Sequence, residues 1–472
     1  MKVQYVSICP TEKAIENGCH SLTPELLAAT GARYSRNNEG LDSIVSNIDP
    51  NNLEKSVDNI FKMLDYGHAS IADMVPISLF IDNISLFAAY YLWTLSPTAG
   101  GQESSTRYIK INKSSFISSE DLGIHDSLKN KFNQFNHLSF NNYQICLDSW
   151  NEIAKLNPSL TKIPDEILNS SEDKNIKAAK RMIRNYSFDR ARVYLPLTAS
   201  TGVMMIQSAR AWANIAAHLQ SHYLKELKTL GKEIAEKLSY GANRLLKHSQ
   251  PSRNLEQYIR SEYNLIKDSI NSLNHDSFQK INDQFSDAIE CKTSLFVDDL
   301  GYSNQVIEYA CKNRVNRYSP FGNAINRTLV RFCWIGISFG EIRDLNRHRT
   351  GNKYCPLVPL GFYSALDQLP EEENEVTKVI KNCSYSFMNS KSNAIDLLNK
   401  GFGEYIYFTN LGHQYYFEHS TTADKFLYEM ELRTGLGAHY KYAEHCHDAL
   451  KLWFDKYPET KKLIFEGKAE PE

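Results

Sequence analysis

A carboxylate, a hydroxyl and a guanidinium alternate along one short stretch of the chain, at Glu103, Ser105 and Arg107. In an extended loop every second side chain points the same way, so all three would face one ligand. Arg is the preferred forked donor to phosphate, and Ser adds a hydrogen bond, which suits a nucleotide. Taken alone, however, these three residues favour a solvated loop with a local Glu–Arg pair over a nucleotide-binding loop.

A second polar group, Arg347-His348-Arg349, follows a predicted helix that begins after Ser338. Three adjacent polar side chains at a helix end cannot all face a core. Their place in the internal repeat described below favours contact with a flavin or a phosphate. An exposed basic helix end, stabilised by the helix dipole, is the alternative.

Three other patterns have ordinary structural explanations. Arg210 and Asn214 are four positions apart and share one face of a predicted helix, but solvent explains such a face as well as a ligand does. The segment from Glu444 to Asp448 has metal-ligand residue types, yet successive helical side chains point about 100° apart, so we predict no metal. The nine cysteines offer no paired base at a readable spacing, so no Cys nucleophile is predicted.

The elements that must position these residues recur along the chain. Apolar alternation typical of a strand runs from Ile77 to Ser85 and then becomes a helical pattern, and the same order recurs from Leu329 to Ser338. Ser338 and Glu341 form a Ser-x-x-Glu capping box, which marks a helix start. The coarse pattern of strand, helix, loop and helices, occurring twice, predicts an α+β fold.

Composition sets the domain organisation and excludes several classes of protein. The chain has 472 residues, which is long enough for two domains, and its formal charge of -2 gives no sign of binding to polymeric nucleic acid. Polar composition between Lys247 and Gln284 indicates a connector that contains helix. We therefore predict a first copy of the repeated unit at 1–245, a connector at 246–290 and a second copy of the unit at 291–472.

The same composition bears on the compartment. The odd number of cysteines without CxxC pairs fits a reducing cytoplasm, and the N-terminus lacks the apolar core of a signal peptide. The most apolar stretch, Met74 to Leu95, is interrupted by Asp82, Asn83 and Ser85, so we predict a strand and a helix there and no membrane span. The expected location is cytoplasmic.

The order of these segments resembles the flavin-dependent thymidylate synthase family. Gly67-His68-Ala69-Ser70, a strand, a Ser-capped helix and the segment from Gln102 to Tyr108 follow the family's spacing without a gap. The family's Arg-His-Arg triplet at the helix end is replaced in the first half by Thr94-Leu95-Ser96. The second half has the triplet, at positions 347–349, but lacks the Glu-x-Ser-x-Arg-Tyr loop.

Other family segments are divided between the two halves in the same way. Arg192 lies in a segment similar to the family's ARxxLP, whose Arg reaches the nucleotide, and Arg210 with Asn214 resembles a helix that holds flavin. Arg433 lies in a segment similar to LRT, at the position of the family's catalytic Arg, whereas Asp424 occupies the place of Arg210 in the second half. Neither half alone has a complete set.

The resemblance implies a role for each matched residue. The nucleotide would be bound by Gln102, Glu103, Ser105, Arg107 and Arg192. FAD would be bound by Ser70, Arg210, Asn214, Arg347, His348 and Arg349. Arg433 would be catalytic and polarise the pyrimidine base. Because the set is complete only when both halves contribute, we expect two tandem family-like domains forming a pseudo-dimer with a composite site, and a homodimer of the two-domain chain.

The function implied is transfer of a one-carbon unit from methylenetetrahydrofolate to C5 of dUMP or a related pyrimidine nucleotide, with FAD as cofactor and NADPH as reductant. The departures at Thr94 to Ser96 and at Asp73-Met74 leave open a modified nucleotide, or hydroxymethyl rather than methyl transfer. The alternative is a catalytically inactive nucleotide- or flavin-binding protein derived from the family.

Overall fold

The computed structural model describes the chain except for residues 9, 36–39, 50, 63–69, 97, 107–110, 113–114, 273–283 and 469–472. Arg107 of the predicted nucleotide loop and Gly67-His68 of the first family segment lie outside the described residues. The strands are β1 Lys2–Val6, β2 Pro76–Ser85, β3 Gly100–Glu103, β4 Ser200–Ser208, β5 Lys292–Asp298, β6 Leu329–Ser338, β7 Asn352–Tyr354, β8 Gly361–Phe362 and β9 His413–Thr422.

The helices fall into two groups along the chain. The helices before the predicted connector are α1 Glu12–Glu16, α2 Pro24–Tyr34, α3 Leu41–Ser46, α4 Leu53–Phe61, α5 Ser70–Asp73, α6 Leu86–Thr94, α7 Ser119–Leu122, α8 Lys129–Leu156, α9 Asp165–Leu168, α10 Asp173–Ala191, α11 Ala209–Gln220 and α12 Lys225–Leu238. The remainder are α13 Arg253–Ser272, α14 Asn304–Cys311, α15 Asn323–Arg327, α16 Phe339–Leu345, α17 Glu375–Tyr385, α18 Ser390–Asn399, α19 Ala423–Arg433 and α20 Tyr440–Lys456.

Two sheets, one in each half, have the same strand order. The first is β1-β2-β4-β3 and the second is β5-β6-β9-β7, with β8 also paired to β9. Every pairing is antiparallel. This mixture of antiparallel sheets and separate helices confirms the α+β fold predicted from the sequence.

The sheets and their following helices match position by position, which confirms the internal repeat. At the start of α11 the Ala209 N–H donates to the Val75 carbonyl oxygen at 2.8 Å, and at the start of α19 Ala423 donates to Thr328 at the same distance. The second strand of each sheet carries a bulge near its end and then enters a helix through a Ser N-cap. The sequence from Met74 to Leu95 thus forms strand and helix as expected, and within the described residues no helix is both long and apolar enough to cross a membrane.

The compact units of the chain do not follow the predicted sequential boundaries. Unit 1 comprises 1–105, 117–123 and 200–264, and unit 2 comprises 106–116, 124–199 and 265–472. The predicted boundary at 245 separates the two sheets, and the connector contains α13, but α8 to α10 belong to unit 2. The reason is helix packing that composition does not reveal: Asn142 on α8, for example, donates to the Cys383 carbonyl oxygen on α17 at 3.0 Å.

A buried histidine in unit 2 predicts how stability depends on pH. His413 accepts a hydrogen bond from the Asn410 N–H at 2.9 Å, and burial lowers the pKa of its ring to about 3. Below about pH 6.5 the unfolded chain therefore binds a proton at this ring, whereas the folded chain does not. This difference lowers the free energy of unfolding by about 1.4 kcal/mol per pH unit.

We expect the free energy of unfolding to fall as the pH decreases from 6.5 towards 3, and to fall less steeply in His413→Gln. Urea denaturation at several pH values measures both slopes. His348 and His222, whose pKa values burial also lowers to about 3, remain in the variant, so part of the slope should persist. Equal slopes in the two proteins would show that His413 is not buried in the neutral form.

Candidate functional site

A helix buried along its whole length leads into the Arg-His-Arg segment of unit 2. Ser338 ends β6 and caps α16, where both its N–H and its hydroxyl donate to the Glu341 carboxylate at 2.9 and 2.7 Å. Every residue of α16 is buried, and the helix is only seven residues long. The triplet 347–349 therefore begins immediately after a fixed, buried helix end.

Arg433, at the end of α19, is attached to the same helix end. Its Nε donates to His348 Nε2 at 2.6 Å, and its Nη2 donates to the Asp344 carbonyl oxygen at 2.9 Å. Because Nε2 accepts this bond, the His348 ring is neutral, and burial lowers its pKa to about 3. The predicted catalytic Arg and the predicted flavin-binding His are thus direct partners.

Arg192, which the sequence assigned to the first copy, also lies in unit 2. Its Nη2 donates to the Asp344 carboxylate at 2.9 Å, and its Nε is 3.8 Å from Asp189. Burial alone would raise the pKa of Asp344, but Arg192, Arg347 and Arg343 outweigh it and hold the pKa well below its usual range. A single carboxylate therefore gathers arginines from both halves of the sequence.

A pocket of about 390 Å³ opens beside these groups. Its wall consists of Arg347, His348, Arg349, Thr350, Lys425, Tyr428, Leu432 and Arg433. Four of these eight residues are permanent cations, so the pocket is suited to an anionic group such as a phosphate. A neighbouring cavity of about 770 Å³, bordered by the open face of the second sheet, shares Thr350 and Lys425 with it.

The predicted residues of unit 1 are held by the first sheet. Gln102 and Glu103 lie on the short edge strand β3 and pair with Met204 and Val203 of β4. The preceding Gly101 is required for that approach, because a Cβ there would overlap the Met204 carbonyl oxygen. Ser105 follows the strand and is half-buried.

The flavin helix of the first copy is α11, and its polar face is exposed. Arg210 Nη1 forms an ion pair with Asp73 at 2.8 Å, and Asn214 and Ser70 are exposed. In the Asp73-Met74 pair, Asp73 keeps the acidic position of the family pattern and Met74 replaces the expected His, so the carboxylate that pairs with Arg210 is not itself a departure. The matched starts of α11 and α19 also place Asp424 at the position of Arg210, as expected.

The predicted site residues thus fall into two groups, one in each unit. Arg192, Arg347, His348, Arg349 and Arg433 converge in unit 2, whereas Ser70, Gln102, Glu103, Ser105, Arg210 and Asn214 lie in unit 1. Sequence reasoning missed Asp344 and Lys425. The spacing of Asp344 three residues before Arg347 is a signal for the first, whereas nothing local indicates that Lys425 lines the pocket.

The chain has an α+β fold with a repeated antiparallel sheet, and the arginines at the helix ends of unit 2 give its pocket a positive charge. The family model of thymidylate synthase complementing proteins matches residues 19–241. The match to these residues agrees with the resemblance found in the sequence.

Two further comparisons identify similar proteins. A UPF0159 protein of Chlamydia pneumoniae is 22% identical over 329 residues, in a match that covers 63% of this chain and 60% of that protein. The chain thus spans about 60% of the length of this curated relative. A solved structure, the UMP/dUMP methylase PolB from Streptomyces cacaoi bound with 5-Br dUMP, is 14% identical with a TM-score of 0.32, and the match covers 52% of this chain and 93% of that chain.

Proposed function

We propose that the protein is a flavin-dependent thymidylate synthase-like enzyme that transfers a one-carbon unit from methylenetetrahydrofolate to C5 of dUMP or a related pyrimidine nucleotide, with NADPH as reductant. The observation that carries the proposal is the cationic pocket in which Arg433 meets the Arg-His-Arg segment. These two segments are the ones by which the second half resembles the family, and they lie apart in the sequence.

The residues present fit FAD as the cofactor. Arg347, Arg349 and Lys425 line one pocket and provide the positive charge that a pyrophosphate requires. The volume of about 390 Å³ admits part of a dinucleotide, and the neighbouring cavity shares two wall residues with it. When bound, FAD would supply the redox and one-carbon carrier chemistry.

The protein side chains would then bind, orient and polarise the nucleotide. Arg107 and Arg192 would anchor its phosphate, and Glu103 with Ser105 would complete the nucleotide loop. Arg433 would donate to a carbonyl of the base and stabilise the negative charge that develops as C5 becomes nucleophilic. Its hydrogen bonds to His348 and to the Asp344 carbonyl fix the guanidinium plane in advance, which is what preorganised stabilisation requires.

The experiment that tests the proposal is direct. The purified full-length protein should show the absorbance of a bound flavin, and mass spectrometry of the molecules released by denaturation should identify FAD. Incubation with dUMP, methylenetetrahydrofolate and NADPH should then yield a product heavier than dUMP by one CH2 unit, because a methyl group replaces the hydrogen at C5. Bound flavin without a product would instead favour the inactive flavin-binding alternative.

The phosphate anchor of the nucleotide gives a sharper prediction. Arg107→Ala should weaken binding of dUMP far more than binding of deoxyuridine, because only dUMP has the phosphate. A lost charge-assisted hydrogen bond costs about 1.5–3 kcal/mol, which is roughly ten- to a hundredfold in affinity. Calorimetric titration with the two ligands measures the difference, and equal weakening of both would show that Arg107 does not contact the phosphate.

A further inference from the structure

A second charged group lies buried behind the pocket wall, on the same helix as Arg433. Glu429 has no exposed surface, and its Oε2 is 3.1 Å from His419 Nδ1 on β9. Burial acts to raise the pKa of this carboxyl, but interactions with His348, His419 and Lys353 outweigh it and hold the pKa below its usual range. Glu429 and Arg433 are one helical turn apart and so share a face of α19.

The partners of Glu429 bind the backbone of the pocket wall. His419 Nε2 donates to the Thr350 carbonyl oxygen at 2.7 Å. Lys353 Nζ donates to the His348 carbonyl oxygen and, at 3.4 Å, to that of Thr350. Glu429 thus lies beside His419 and interacts electrostatically with Lys353, and these two donors bind the carbonyl groups on either side of Arg349.

The first half of the chain shows that the fold does not need these charges. The matched positions of the first sheet and its helix are Ile215 for Glu429, Met205 for His419 and Gly101 for Lys353. Ile215 and Met205 are buried in an ordinary apolar core. At these three matched positions unit 1 therefore has no charged residue.

This difference argues for a role beyond stability. Buried ions lose their hydration, and well-packed apolar residues of similar volume often stabilise a protein as well or better. Unit 1 has the apolar alternative at two of the three positions, Ile215 and Met205, where unit 2 has a carboxylate and an imidazole. The imidazole and the Lys353 ammonium both bind carbonyl groups of the segment that lines the pocket.

We propose that Glu429, through His419 and Lys353, is a positioning residue that fixes the backbone of residues 348–350 and the orientation of Arg433. This inference rests on the proposed function only in taking the pocket as the ligand site. Glu429 does not line the pocket, so it acts through the groups that do.

Hydrogen exchange of the ligand-free, full-length protein tests the positioning role without any assumption about the ligand. Glu429→Gln keeps the shape of the side chain and removes its charge. Glu431→Gln is the matched control, because Glu431 is equally buried on α19 but pairs with Arg314 at 2.6 Å, away from the pocket wall. Amides 347–353 should exchange at least about tenfold faster in Glu429→Gln and at the wild-type rate in Glu431→Gln.

Calorimetric titration with inorganic pyrophosphate provides the second readout. Glu429→Gln should weaken its binding about tenfold, and Glu431→Gln should leave it unchanged. Unchanged exchange in Glu429→Gln, or equal acceleration in both variants, would overturn the positioning role. If Glu429→Gln does not fold, Lys353→Met removes one donor from the same carbonyls and should accelerate the same amides. A chain without flavin but with this exchange pattern would contradict the proposed function and leave the positioning role standing.

Discussion

Arg433→Ala is expected to lower turnover about 10²–10³-fold, the usual cost of removing one preorganised donor to a developing negative charge. The loss should appear in kcat, because the charge on the base develops only in the transition state. FAD content should change little, since Arg347, Arg349 and Lys425 remain in the pocket wall. Steady-state kinetics with dUMP, together with the flavin absorbance of the same sample, measures both effects.

Arg433→Lys is the informative companion variant. Lys keeps the positive charge but has no planar fork, so it cannot donate simultaneously to His348 Nε2 and to the Asp344 carbonyl oxygen. We therefore expect poor rescue of turnover. Recovery of most of the activity by Lys would show that charge alone suffices and that the fixed guanidinium plane is irrelevant.

The structure also changes how the composite site has to be tested. Expressing residues 1–245 separately from the rest is the experiment that the sequence suggests, but helices in 124–199 belong to unit 2. Such a fragment would leave Arg192 without Asp344 and would expose the α8 face that packs on α17. Substitutions in the full chain avoid that damage, and Arg107→Ala and Arg433→Ala together address both sets of residues.

Patterns close in sequence predicted much of the fold. The alternation before Ser85 and Ser338 identified β2 and β6, and the capping box of Ser338 and Glu341 identified the start of α16. These features depend on neighbours a few residues away, so one sequence reveals them. The capping of Ser85 shows the limit, because its carboxylate is Glu226, 141 positions later.

The sequence likewise predicted some residues of the candidate site but not the long-range contacts between them. The positions of the triplet at 347–349 and of Arg433 followed from resemblance, and the pocket brings them together. The pairing of Arg192 with Asp344 spans 152 positions, and the support formed by Glu429 and His419 joins a helix to a strand. Contacts of this kind depend on tertiary packing, and neither periodicity nor spacing within one sequence encodes them visibly.

Asp344→Asn is expected to cause a large loss of stability, about 3–5 kcal/mol at pH 7. The buried carboxylate is 2.9 Å from Arg192 and 3.7 Å from Arg347, and Asn would leave this positive charge without its nearest counter-ion. Asp396→Asn on α18 is the control, because its pair with Lys400 is exposed and should contribute less than about 1 kcal/mol. Urea denaturation of the three proteins measures the free energies of unfolding.

The pH dependence of the Asp344→Asn effect follows from the sign of the pKa shift. The folded protein holds the pKa of Asp344 below its ordinary value near 3.9, so the carboxylate stabilises the fold fully above about pH 4. That contribution is lost as the pH falls towards the folded pKa, whereas Asn has no such dependence. The difference in unfolding free energy between the wild type and Asp344→Asn should therefore shrink below pH 4. A difference that stays constant from pH 7 to pH 3 would mean that packing, and not the charge of Asp344, holds the arginines in place.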